Sequence, residues 1–260
     1  MSALRLLPFA VLFVLWWTVT SGLRLFPPIQ LPSPESVFRY AARAAEQGIL
    51  LDAVIGSVSR FLAGLVLGAA LAIPLALLVA GRPRVSDAVL PMAKFFQAIS
   101  GVTWIPLAVL WFGISSTASI FIIFNTTFFT FFYAMLTGVR SVSPTLVQSI
   151  RTLGGGYKAV LWQVLLPGSL PHLLNGLRVA IGYGWRALIA SEIIASGGGL
   201  GVLIWEGQQE LSTQKIVTGL LLIGAISFSM DRFALAPIER VTVQRWGLAN
   251  KNPWGEPRLA

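Results

Sequence analysis

Arg186 and Glu192 fall inside the apolar run 173–195, which also holds Arg178, and they bound the chemistry open to this chain. A charge at the centre of a bilayer costs about 2.5–3.5 kcal/mol on insertion scales, so such residues face a protein interior or a wet cavity and are usually paired. The two are six residues apart, about 600° around a helix of 3.6 residues per turn, and so do not share a face. Trp185, Ile189, Glu192 and Ser196 form one stripe, and Arg178, Gly182 and Arg186 form another. Two uses follow. Arg186 can neutralise an anionic solute in a translocation path, or both residues can make interhelical ion pairs or bind backbone carbonyls. Pairing is the preferred reading for Glu192, while the two readings of Arg186 weigh equally. Trp104, Asn125, Thr126, Thr130 and Trp185 complete the path candidates, although packing and interhelical hydrogen bonds are the commoner use of such residues.

Other chemistries are closed off. There is no cysteine, hence no thiolate nucleophile, disulfide or thiolate metal site. The one histidine, His172, cannot build a histidine-rich metal cluster. The ten acidic residues are scattered, with Glu192 the one read as intramembrane, so no carboxylate pair is read at a membrane face. No Gly-Lys dipeptide occurs and therefore no P-loop.

A second group of residues lies at 144–171, between apolar runs but too polar and broken to cross a bilayer. Leu146, Ile150 and Leu153 share a helical stripe, with Gln148, Arg151 and Thr152 beside it. Gly154, Gly155 and Gly156 interrupt, a short amphipathic run follows (Tyr157, Leu161, Val164, Leu165), and Leu166-Pro167 closes it. The glycines permit a sharp turn. The proline is expected to stop the helix and set the angle of the next span. A short helix so bounded is a rigid lever, with Tyr157, Leu161 and Trp162 placed to enter a partner's groove. A loop resting on lipid headgroups is the plainer alternative.

The elements that position these residues follow from composition. Hydrophobic residues make up 55% of the 260 and charged residues 11%, against about 25% charged in soluble domains. With a mean hydropathy of +0.77, the expectation is an all-α polytopic membrane protein. The formal charge of +9 is scattered between apolar runs, which fits the membrane-side bias of Lys and Arg and not a nucleic-acid surface. Six spans are expected, at 6–20, 54–80, 89–112, 118–137, 173–195 and 216–233. Residues 1–28 hold the first span, uncleaved. Residues 29–53 form a Pro-rich turn and a surface helix over 36–52. Residues 54–235 form a core of five spans around the 144–171 loop, and 236–260 a basic tail. Arg60 is expected to snorkel to the interface, Gly64 and Gly68 to mark a close helix approach, and Pro74 to kink its helix. The span at 89–112 is expected to be bent by Pro91, Gly101 and Pro106, and 202–213 to be a polar loop. With both termini inside, Arg5, Arg82, Arg84, Arg140, Arg151, Lys158 and the tail are cytoplasmic, against Arg24, Arg39, Arg43 and Lys215 outside.

The 144–171 stretch resembles the EAA coupling loop of ATP-binding-cassette importer permeases. Gln148-Ser149-Ile150 stands for the Glu-Ala-Ala, Gly154 follows after three residues, and after nine more come Val164, Leu165 and Leu166-Pro167. Gln148 replaces the acidic residue, keeping hydrogen-bonding capacity but not charge. Further features are similar to the nitrate/sulfonate/taurine branch, which includes bicarbonate and thiamine-precursor systems. They are Leu31-Pro-Ser-Pro34, Ser57-x-x-Arg60-x-x-x-Gly64, Trp104-Ile-Pro-Leu107, Leu110-Trp-Phe-Gly113, Pro167 to Arg178, and Glu192 with Gly199-Leu-Gly201. The resemblance implies a type I importer permease fold and a homodimer in the inner membrane. It also implies two ATPase subunits that bind the ATP and Mg, so that this chain holds no cofactor, and a periplasmic or lipid-anchored solute-binding protein. The function implied is import of a small anionic solute by alternating access. The alternatives on the residues alone are a membrane-embedded enzyme acting on lipids and a channel.

Overall fold

In lipid every backbone N–H and C=O must find a partner within the protein, which leaves helices as the default for a chain this apolar. The computed structural model describes residues 7–235, and no strand occurs among them. Arg5 and the tail 236–260 lie outside the described residues. The elements are α1 (Leu7–Trp17), α2 (Pro34–Glu46), α3 (Ile49–Ala80), α4 (Pro83–Ala98), α5 (Ile105–Phe112), α6 (Ser116–Ser141), α7 (Pro144–Thr152), α8 (Tyr157–Val160), α9 (Leu166–Ala195), α10 (Leu200–Gln209) and α11 (Thr213–Ser229). Wider π turns extend α1 to Gly22, join α8 to α9 over Leu161–Leu165, and follow α11.

Helices α3 and α6, of 32 and 26 residues, are each long and apolar enough to cross a membrane. Two bent pairs pass the same test jointly: α4 with Gly101–Phe112, bent by 84°, and Tyr157–Ala195 with α10, bent by 52°. Leu7–Gly22 and Thr213–Ser229 are shorter apolar helices. The first bend sits where expected, at an extended Ile99 (φ −85°, ψ 115°) before Gly101.

Two local expectations are corrected. The surface helix does not reach residue 52. Ser33 caps α2 by accepting from Ser36 N–H, Pro34 opens it, and Gly48 at φ +77° separates it from α3, which takes Ile49 to Asp52. The 202–213 stretch is not a loop but largely α10.

The described residues form two compact units, 7–62 with 104–122 and 186–226, and 63–103 with 123–185 and 227–235. In the first, Ile105, Ala108, Ala118, Ile122, Ala187 and Ala195 pack together with Trp104 against them. Ala44, Leu50, Ala53, Leu200 and Leu203 form a second cluster that roots α2. The Pro-rich turn is tied down by indole hydrogen bonds, Trp16 Nε1 to Pro32 O at 3.0 Å and Trp17 Nε1 to Glu35 Oε1 at 2.7 Å. In the second unit α6 is flanked by close crossings. A Cβ at Gly68 would collide with Thr127, and one at Gly176 with Ala134. Thr127 Oγ1 also donates to Gly64 O at 3.3 Å, so the Gly64–Gly68 pair does mark a close approach.

Candidate functional site

Glu192 is fully buried, and its partner is Arg60 on α3. Arg60 Nη2 and Nε donate to Glu192 Oε1 at 2.8 and 3.1 Å. Ser57, one turn before Arg60 and so on the same helix face, donates its hydroxyl to the carboxylate at 2.8–2.9 Å. Gly201 N–H supplies a further bond to Oε2 at 2.9 Å. The guanidinium is completed by Gly198 O and by Ser116 Oγ at 3.3 Å, and Ser57 Oγ accepts from Leu200 N–H at 2.8 Å. Gly199 lies at φ +120°, where a side chain would be strained and would strike both Arg60 and Glu192. The expectation that Arg60 reaches for the interface is therefore overturned. It is 8% exposed, because a buried carboxylate with two oxygens to satisfy holds it inward.

The pairing was not legible from Arg186, which lies six residues from Glu192 and is exposed on α9. The signal that could have found it was the set Ser57-x-x-Arg60, Glu192 and Gly199-Leu-Gly201. All its members meet at one carboxylate.

The 144–171 stretch is built differently. Pro144 opens α7, and Leu153 ends it. Gly154 N–H returns to Arg151 O at 3.0 Å and Gly155 N–H to Ile150 O at 2.9 Å. With Gly154 at φ +83°, this is the Schellman pattern that satisfies a helix's last carbonyls. Gly155 is held small for another reason, since a Cβ there would stand 2.5 Å from Ile150 Cγ2. Gly156 then begins α8 in an extended conformation. Above this turn stand exposed apolar side chains: Leu153 is 83% exposed, Trp162 69% and Tyr157 64%. Gln148, Arg151 and Thr152 are exposed as well, and Leu161 is half-buried. Val160 and Val164 turn inward and are buried.

Pro167 does not stop a helix. The helix runs on from Tyr157 to Ala195, and Leu166 and Pro167 are half-buried in the first turn of α9. A proline removes one i→i−4 bond and its ring presses on the carbonyl four residues back. Here the turn just before it widens to an i→i+5 spacing, with Leu166 N–H on Leu161 O, which accommodates the ring without a break.

The path candidates fall in both units. In the first unit Trp104 packs on the Ile105 cluster, Glu192 is locked in its ion pair, and Arg186 is exposed. In the second, Trp185 is buried, while Asn125, Thr126 and Thr130 are half-buried on α6. Thr130 Oγ1 donates to Thr126 O at 3.0 Å, within its own helix.

Helices long and apolar enough to cross a membrane carry an exposed apolar turn at Gly154, and comparison with known proteins gives the class of protein. Residues 64–242 match the binding-protein-dependent transport system inner membrane components, and the chain belongs to this family of ATP-binding-cassette permeases. It is 32% identical over 238 residues to the taurine transport system permease protein TauC of Escherichia coli strain K12, covering 90% of this chain and 86% of that protein. It is 30% identical over 256 residues to the bicarbonate transport system permease protein CmpB of Synechococcus elongatus, covering 94% and 90%. In fold it is similar to the inward-facing MetNI methionine ABC transporter, with a TM-score of 0.65 and 19% identity over 75% of this chain and 96% of that one. The chain is thus a membrane-embedded, non-catalytic permease subunit, and the ATPase is a separate subunit.

Proposed function

We propose that this permease imports a small anion, of the sulfonate, nitrate or bicarbonate kind, and that the 144–171 segment transmits the ATPase stroke. In this reading two copies form the path across the inner membrane with both termini in the cytoplasm. Two ATPase subunits bind ATP and Mg, and a periplasmic or lipid-anchored binding protein delivers the solute. The observation that carries it is the turn at Gly154. Its backbone is fully bonded while Leu153, Tyr157 and Trp162 stand out in the open, which is how a rigid knob for a partner's groove is built. The unbroken helix from Tyr157 to Ala195 makes the coupling direct. A push on Tyr157 moves the helix that carries Arg186, without a hinge at Pro167. Glu192, by contrast, serves the packing of the permease rather than the path. Arg186 and the half-buried Asn125, Thr126 and Thr130 remain the solute-facing candidates, and the taurine and bicarbonate names of the relatives support an anion.

The test is Leu153→Asp with Tyr157→Ser. Exposed docking anchors of this kind contribute roughly 2 kcal/mol, about thirtyfold in affinity. The variant should reach the membrane at normal level yet lose its ATPase during purification and fail to support uptake. Retention of the ATPase and of uptake would sink the coupling reading.

A further inference from the structure

A cavity of about 440 Å³ opens along α2, lined by Ser36, Arg39, Tyr40, Arg43, Ala44, Gln47 and Gln214. Its lining holds two guanidinium groups and no carboxylate. Arg39 and Arg43 stand one turn apart, and like charges at that spacing work against a helix unless something neutralises them. Neither forms an ion pair among the described residues, and both are exposed, as is Glu46 three residues beyond Arg43. Glu35, on the same helix, is taken by Trp17 and Ser21. Glu206 and Glu210 both accept from Lys215, at 2.8 and 3.1 Å. Arg43 Nε donates to Arg39 O at 3.4 Å, which steadies the pair and leaves the two Nη atoms of this cavity-lining residue for a ligand. Around them the Gln47 and Gln214 amides add neutral donors, while the Ser36 hydroxyl is engaged with Ser33 O at 2.7 Å. The wall is fixed, because Ala44 is 3% exposed and packs with Leu50, Ala53, Leu200 and Leu203, with Tyr40 against that cluster.

From this we infer that the α2 cavity is a binding site for a tetrahedral or planar oxyanion, held in the forks of Arg39 and Arg43. Arginine is the residue suited to such a group, since its planar fork matches two oxygens at once. A sulfonate or phosphate group supplies the chemistry, whether on a free solute or on the headgroup of an anionic lipid. The site is separate from the proposed path and does not depend on it.

The test uses the permease–ATPase complex in nanodiscs and reads the rate at which phenylglyoxal, a guanidinium-specific reagent, modifies each arginine. Inorganic sulfate is titrated in phosphatidylcholine discs, and phosphatidylglycerol replaces part of the lipid in a second series without sulfate. At a concentration about twice the dissociation constant, an occupied site slows labelling by about threefold, the factor 1 + [L]/Kd. Slowing of Arg39 and Arg43 by sulfate, with the exposed Arg24 unchanged, establishes a free-oxyanion site. Slowing by phosphatidylglycerol alone establishes a headgroup site. If neither slows the pair more than chloride at equal ionic strength, the inference is wrong. The Arg39→Gln/Arg43→Gln variant provides a second readout. Native mass spectrometry should show bound sulfate or phosphatidylglycerol on the parent complex and not on this variant, and equal occupancy on both would also overturn it.

Discussion

The Glu192 cluster and the Gly154 turn solve opposite problems with the same material, glycine and hydrogen bonds. Around Glu192 a charge is buried and every oxygen finds a donor, with Gly199 and Gly201 drawn in close so that backbone groups can reach it. At Gly154 the backbone is satisfied locally, within one turn, and what remains is apolar surface pointing outward. The first arrangement is stable only when complete. The second is stable alone and useful only when something covers it. Damage to the cluster should therefore be read in folding, and damage to the turn in partnership.

The largest effect is expected at the cluster. Glu192→Gln keeps the size but leaves Arg60 buried without a counter-charge, which costs about 3–5 kcal/mol. Purified in detergent, the variant should unfold at a much lower temperature and reach the membrane in reduced amount. Removing both charges, as Arg60→Met with Glu192→Leu, should recover most of that loss, because a well-packed apolar pair replaces an ion pair at little cost. If the double variant is as unstable as the single, the cluster acts through something other than charge satisfaction.

The same contrast decides what could be read in the sequence. The turn is encoded in neighbours: a helical stripe, three glycines and a second stripe place α7, the cap and α8 without knowledge of the fold. The apolar runs likewise locate α3 and α6. The ion pair joins residues 132 positions apart, and no periodicity connects them. Within its own helix Glu192 had only Arg186 in view, on another face. Pro167 was misread because the stop rule assumes an i→i−4 ladder. The five-residue π turn before it is a solution that residue types alone do not announce. The 202–213 stretch reads as a loop because Glu206, Gln208, Gln209 and Glu210 make it polar. Yet Lys215 gathers Glu206 and Glu210, and Leu203 and Gly207 bury its other face.

A smaller, local effect is expected at the turn. Gly154→Ala places a Cβ in the left-handed region, at about 1–2 kcal/mol, with open space around it. The strain should fray the end of α7 and leave the rest of the molecule intact. Hydrogen exchange at the amides of Gly154 and Gly155 should quicken, while the thermal midpoint barely moves. Loss of global stability as large as that of Glu192→Gln would show that the turn is not independent.

The smallest effect separates ligation from burial. Glu35 is a carboxylate with side-chain donors of its own, Trp17 Nε1 at 2.7 Å and Ser21 Oγ at 2.9 Å. A backbone N–H at the start of α2, then the Ser21 and Ser33 hydroxyls and last the Trp17 indole, hold its pKa down to about 2, from an ordinary 4.5. A depressed carboxylate contributes stability above its unfolded pKa and loses it as pH falls through the folded one, here between 4.5 and about 2. Unlike Glu192 it is exposed, so water competes for the same oxygens and screens the charge. Glu35→Gln should therefore lower the thermal midpoint only slightly at pH 7, and that small gap should close as the pH falls from 4.5 toward about 2. If Glu35→Gln is destabilised as severely as Glu192→Gln, then the number of donors, and not the exclusion of water, governs both sites.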